Sequence, residues 1–258
     1  MSIYEHFRDD EKPFIDAVFG WQDFVISRYA PKCTDFLDPR QQEILNLIIG
    51  QHGEVRTYFC GGFEAAERKR ALLVPEYFHV RQEDFGLTLF ELQYPKKFAK
   101  ITHREMLGAL TGLGLVRDKF GDLLFKDDRV QFVAAQEIAD FVLTHLTHVG
   151  NVKVSCKEMP LSDILHIENH WEEAVGTVSS LRLDAVLSEI YNLSRTKIAQ
   201  YIQSGKVKVN WKPVEKTAYE LAPGDNLSVR GLGRSRLFAV EGVTRKGKQR
   251  IRYGRLIS

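Results

Sequence analysis

Cysteine is scarce in these 258 residues: Cys33, Cys60 and Cys156 stand alone, with no CxxC and no close pair. That spacing excludes a disulfide framework or a zinc ribbon and predicts a reducing compartment. No apolar run approaches the length that crosses a bilayer, and Met1 to His6 lacks a basic stretch with an apolar segment behind it. A cytoplasmic protein with no membrane partner is therefore expected. The eight histidines are scattered. His166 and His170 have helical spacing but no third ligand near them in sequence, so no metal is expected. Gly112-Leu113-Gly114 is too short for a dinucleotide loop, and Walker A and GxSxG sequences are missing, so neither a cofactor nor a catalytic residue is assigned.

The small net charge of +2 hides a division. Residues 181–258 hold sixteen Lys and Arg against six Asp and Glu, whereas residues 1–180 hold twenty against twenty-eight. A surplus of ten positive charges on one end and a deficit of eight elsewhere predict a polyanion-binding module attached to an acidic body.

Hydropathy periodicity divides the chain further. Residues 1–70 read as mainly helical: Phe14, Ile15, Val18, Phe19 and Trp21 return at helical spacing. Asp38-Pro39 opens a second helix, whose stripe of Ile44, Leu45, Ile48 and Ile49 stops at Gly50. Gly61-Gly62 is expected to turn into a short helix over 64–68. Residues 71–160 switch period repeatedly. Strands are expected at 71–74, 87–92, 123–125, 130–134 and 152–156, with helices at 102–110 and 135–146. Strand, helix, strand, strand, helix, strand is the order of an RRM-like, ferredoxin-like βαββαβ sandwich. The aromatic strand signature that RRM modules use for base stacking is not evident, so RNA reading is not assigned to this sheet. Residues 161–180 read as a polar connector.

Residues 181–258 carry the functional signal. Arg182-Leu183-Asp184 opens a helix, Ser194-Arg195-Thr196-Lys197 caps and starts another, Gly205 ends it, and Lys206-Val207-Lys208-Val209-Asn210 alternates as a half-buried strand does. Positive charge at a helix start opposes the macrodipole, and an external phosphate reverses that penalty. Arg182, Asp184, Ser194, Arg195, Lys197, Lys206, Lys208 and Asn210 are the candidate RNA-binding residues, with Asp184 expected to orient an arginine. A hairpin is expected around 244–248.

RLDxxL, SR, IxxGxVxVN and GDxxxVRG, in that order and spacing, resemble the S4 (αL) RNA-binding domain over Leu181 to about Gly233. An S4-tethered enzyme such as a pseudouridine synthase is the rival reading, since those enzymes carry an RLD in their catalytic domain. Here the tripeptide lies inside the S4 helix, and an RNA-binding protein that is not an enzyme is expected. Upstream, Thr34-Asp35-Phe36-Leu37-Asp38-Pro39-Arg40-Gln41-Gln42-Glu43, Phe59-Cys60-Gly61-Gly62-Phe63 and His103-Arg104-Glu105-Met106-Leu107-Gly108-Ala109-Leu110 resemble the YlmH family of bacterial S4 proteins, related to RqcP. That resemblance implies an α+β chain of three parts: a helical N-terminal domain, an RRM-like middle domain and a C-terminal S4 domain. It also implies docking on 23S rRNA of the large ribosomal subunit and on P-site peptidyl-tRNA. The implied setting is ribosome quality control with alanine tailing of stalled chains, in company with other quality control factors. Arg104 and Arg117 read as salt-bridged surface residues.

Overall fold

The computed structural model describes residues 7–50, 53–167 and 171–256. Residues 1–6, read above as lacking a leader pattern, and His170 of the histidine pair lie outside the described residues. The chain divides into two compact units, Met1–Ile167 and Glu168–Ser258.

In the first unit, helix α1 (Lys12–Arg28) buries Ile15, Val18 and Val25 and ends where Tyr29 turns left-handed. Strand β1 (Lys32–Leu37) leads to α2 (Pro39–Ile49). The Asp38 carboxylate accepts from the Gln41 N–H at 2.9 Å and the Gln41 side chain accepts from the Asp38 N–H at 2.9 Å, a reciprocal cap that fixes the start of α2. The N-terminal region is helical as expected, yet its helices share a core with an antiparallel sheet of order β1-β3-β2, with β2 at Val55–Cys60 and β3 at Lys69–Pro75. The strand expected at 71–74 is thus the centre of this sheet and not the first strand of the middle domain. Residues 61–68 form turns in place of the expected short helix. A Cβ on Gly61 would lie 2.4 Å from that of Ala66 and 2.5 Å from the Arg68 carbonyl, so the turn closes more tightly than a side chain allows.

A four-stranded antiparallel sheet follows in the order β5-β6-β4-β9, from β4 (Leu87–Gln93), β5 (Phe120–Lys126), β6 (Arg129–Ala135) and β9 (Ser155–Met159). Helices α3 (His103–Gly112) and α4 (Ala139–His145) complete the strand-helix-strand-strand-helix-strand sequence. The strand expected at 152–156 divides into a small hairpin, β7 (His148–Val149) with β8 (Val152–Lys153), and the start of β9. Buried Phe90 and Phe132 stack across the sheet at 5.1 Å.

The other face of that sheet is covered too. Gln131, fully buried, donates to the Glu91 carboxylate at 3.0 Å and to the Asp163 carbonyl at 3.1 Å, and accepts from the Leu165 N–H at 2.8 Å. Leu161 and Ile164 approach Gly62 alongside Val133. Residues 161–165, expected to be connector, are therefore the lid of the sheet, and the rest of that expected connector is largely strand β10 (Trp171–Val178) of the second unit.

In the second unit, six antiparallel strands run in the order β10-β15-β14-β13-β11-β12. They are β10, β11 (Val207–Val209), β12 (Lys212–Pro213), β13 (Asn226–Val229), β14 (Gly233–Val243) and β15 (Gln249–Leu256). Helices α5 (Leu183–Tyr191) and α6 (Arg195–Gln203) share one core with the sheet: Leu187, Ile198 and Ile202 meet Val207, Leu237 and Ile251, all fully buried. The hairpin expected around 244–248 is the β14–β15 turn. No helix among the described residues is long and apolar enough to cross a membrane.

Candidate nucleic-acid interface

Arg182 is the N-cap of α5, and its side chain turns back on its own helix, donating from Nε and Nη2 to the two oxygens of Asp184 at 3.1 and 3.0 Å. Arg195, the first residue of α6, reaches the same carboxylate at 3.3 Å. Asp184 is only 8% exposed, whereas the side chains of Arg182 and Arg195 are 41% and 50% exposed. Burial pushes the Asp184 carboxyl up, but the hydrogen bond from Arg182 and the charges of Arg195 and Arg182 outweigh it and hold the group below its ordinary value. Two guanidiniums from two helix starts are thereby fixed by one anion, and the trio keeps a positive charge. Of the five N–H donors on each arginine, Arg182 commits two and Arg195 one to this carboxylate.

The two helix starts differ in their backbones. At α5 the N–H groups of Leu183 and Asp184 donate to the carbonyls of Tyr219 and Thr217, so that end is closed by the chain itself. At α6 the Ser194 hydroxyl accepts from the Lys197 N–H at 3.2 Å, and Ser194 is the cap. No hydrogen bond from the Arg195 or Thr196 N–H is found among the described residues. Exposed Lys197 stands beside them, so α6 presents two backbone donors and two cations at one point.

The remaining expected residues divide. Lys206 follows left-handed Gly205, and its Nζ lies 5.7 Å from the Tyr201 ring on α6. Val207 and Val209 point into the core that α5 and α6 cover, so Lys208, between them, lies on the opposite face of the sheet and does not extend the helical patch. Asn210 and Trp211 both have positive φ and form the two-residue turn between β11 and β12. The Asn210 amide donates to Asp225 at 2.7 Å, and its oxygen accepts from the Asn226 N–H at 2.9 Å, which commits this side chain to holding the turn.

Sequence reasoning missed Phe238. A bulge between Leu237 and Ala239 turns it out of the strand, where its ring packs on Gly254, edge-on to Trp171 at 5.8 Å. The guanidiniums of Arg236 and Arg252 lie 6.0 and 5.6 Å from that ring. Residues 237–240 are uniformly apolar, so nothing in the sequence marks the bulge.

Three family models match successive stretches: "YlmH, N-terminal" at 10–78, "Putative RNA-binding domain in YlmH" at 81–163, and "S4 domain" at 181–227. The chain is 46% identical over 254 residues to the "Ribosome-associated protein quality control protein P2" of Bacillus subtilis (strain 168), covering 98% of both chains. The chain belongs to the YlmH family. A solved structure, "Cell division protein ylmH from Streptococcus pneumoniae", is similar at 32% identity with a TM-score of 0.55, covering 64% of this chain and all of that one. The S4 match contains Arg182, Asp184 and Arg195, so the arginine-carboxylate cluster of this YlmH protein lies inside its S4 domain.

Arg104 and Arg117, in the middle of this YlmH chain, are not the salt-bridged surface pair expected. Arg117 turns inward and donates to the carbonyls of Phe120 and Gly121 at 2.5 and 3.1 Å; burial, with Arg68 nearby, pushes its guanidinium down to about 10. Arg104 is exposed and has no ion pair among the described residues.

Proposed function

We propose that this protein docks through its S4 domain on 23S rRNA of the large ribosomal subunit and on P-site peptidyl-tRNA, acting in quality control of stalled chains that receive alanine tails. The observation that carries the reading is the convergence of Arg182 and Arg195 on buried Asp184 beside the open N–H groups of α6. Such a constellation holds two planar cations at a fixed spacing, the geometry that a phosphate backbone requires. The quality-control setting is supported by the naming of the Bacillus subtilis relative.

In this reading Arg182, Arg195 and Lys197 contact RNA, Asp184 positions the two arginines, and Ser194 keeps the helix start open. Lys206 continues the contact beside α6, Lys208 meets RNA from the other sheet face, and Asn210 shapes the turn between them. The functional parts are an N-terminal part through β3, a middle part from β4 to the 161–165 lid, and the S4 part that begins with β10, in place of the expected bounds 1–70, 71–160 and 181–258 with a 161–180 connector. The protein is a cytoplasmic binding protein, not an enzyme: Asp184, bound by two arginines, is an ion-pair anchor and not a free nucleophile.

Cosedimentation of the full chain with large ribosomal subunits tests this across a salt series. Affinity should fall steeply with salt, and Arg195→Ala should both weaken binding and reduce the slope by about 1. Attachment that ignores salt and survives Arg182→Ala with Arg195→Ala would sink the reading. A base change missing from the rRNA of a deletion strain would point to the modifying enzyme instead.

A further inference from the structure

The first unit has its own cationic, aromatic projection. Between β4 and α3, residues 94–100 read Tyr94-Pro95-Lys96-Lys97-Phe98-Ala99-Lys100, folded into a turn in which the Phe98 and Ala99 N–H groups donate to the Pro95 carbonyl at 2.9 and 3.2 Å. Phe98 is 89% exposed, the most exposed large apolar side chain among the described residues. Lys97 and Lys100 are exposed beside it, and Arg104 follows on the first turn of α3. None of Lys96, Lys97, Lys100 and Arg104 takes part in an ion pair among the described residues. Lysines without an ion pair are common in this unit, so what sets the loop apart is the gathering of Lys96, Lys97 and Lys100 within five residues around an exposed ring.

We propose that this loop is a second RNA contact, in which a base of an unpaired strand stacks on Phe98 while Lys96, Lys97 and Lys100 hold the flanking phosphates. An aromatic ring left in water has no stabilising role in the fold, whereas stacking on a base and neutralising phosphate together account for both features of the loop. The sheet of the same domain offers no alternative, since Gln131 and residues 161–165 close the face that base-stacking sheets leave open. A single ring matches the area of one base but is too small an apolar face to hold a membrane surface. The inference goes beyond the S4 reading and does not rest on it.

The test uses the full chain and a single-stranded oligouridine of about twelve nucleotides, with a 5-iodouridine version for photocrosslinking. Phe98→Ala should weaken binding about fivefold or more, and replacing the three lysines together with Gln should reduce the salt slope by about 2. The crosslinked peptide should contain Phe98 and should persist in Arg195→Ala. Because Phe98 is exposed, its replacement leaves the unfolding midpoint unchanged, so lost binding is not lost folding. Binding weakened by Arg195→Ala but not by Phe98→Ala, with no adduct on the loop, overturns this inference and leaves the S4 reading standing. The opposite result supports the loop and removes the S4 reading. Attachment to phosphatidylglycerol vesicles lost in Phe98→Ala, with RNA binding untouched, also overturns it.

Discussion

Arg195, first residue of α6, donates to the carboxylate of Asp184 in the first turn of α5 at 3.3 Å, so one anion ties together the starts of two helices. Negative charge suits the start of α5, where the macrodipole is positive. Positive charge at the start of α6 does not, and Asp184 offsets that cost. The pair therefore fixes a cation where an isolated helix would disfavour one.

Replacing Asp184 with Asn should destabilise the second unit by about 1 kcal/mol, a figure kept small because both arginines are half in water. The pH dependence has a definite sign. The folded carboxyl titrates below its ordinary value of 3.8, so its stabilisation is present above that value and is lost as pH falls through the lowered one. The Asn variant should lack that component, giving a flatter dependence of unfolding free energy on pH in acid. Denaturant titrations between pH 6 and about pH 2.5 read the difference.

Ser194→Ala separates the cap from the cations. Loss of the hydroxyl that accepts from the Lys197 N–H should cost about 1 kcal/mol of stability, measured by urea unfolding. RNA affinity should fall less than in Arg195→Ala, because the charges stay in place. An equal or larger loss of affinity would assign the hydroxyl a direct contact.

What was legible in the sequence follows the range of the interaction. The Asp38 and Ser194 caps, the stop at Gly205 and the alternation about Lys208 depend on neighbours a few residues away, and each stands where the residues indicate. The partner of Arg182 was likewise readable, being two residues along. Long-range pairing was not: β3 reads as an apolar strand but nothing in it names β1 and β2 as its neighbours. Residues 161–165 hold Leu161, Ile164 and Leu165 in a run too short to show a period, and that they cover the sheet is set by distant Gln131 buried beneath them. The face carried by Lys208 depended on which side α5 and α6 cover, and the sequence shows alternation without showing sides.

Glu137→Gln should loosen the first unit. Arg70 is buried, donating to the carbonyls of Thr34 and Gly86 at 2.6 and 3.0 Å and to the Glu137 carboxylate at 3.1 Å. Removing the negative charge leaves a guanidinium in the interior without its counterion, at a cost of about 2 kcal/mol given that Glu137 itself is partly exposed. Thermal unfolding of the variant should show the loss, and Arg70→Met combined with it should recover part of the stability, since the stranded charge is then gone.

Gly61→Ala makes a steric prediction that is independent of charge. The new methyl would press on the Cβ of Ala66 and on the Arg68 carbonyl, neither of which is a flexible side-chain end. Next to them the Glu67 and Arg68 N–H groups donate to the Asp122 carboxylate at 2.7 and 3.0 Å, so the turn cannot open without breaking two bonds to a largely buried acid. A destabilisation of about 2 kcal/mol or more is expected in urea titrations. Arg195 and Asp184 lie in the other compact unit, so binding of large ribosomal subunits below the unfolding transition should be unchanged. A variant as stable as the parent would show that residues 61–68 rearrange freely, and the turn would then not be what holds Asp122 in place.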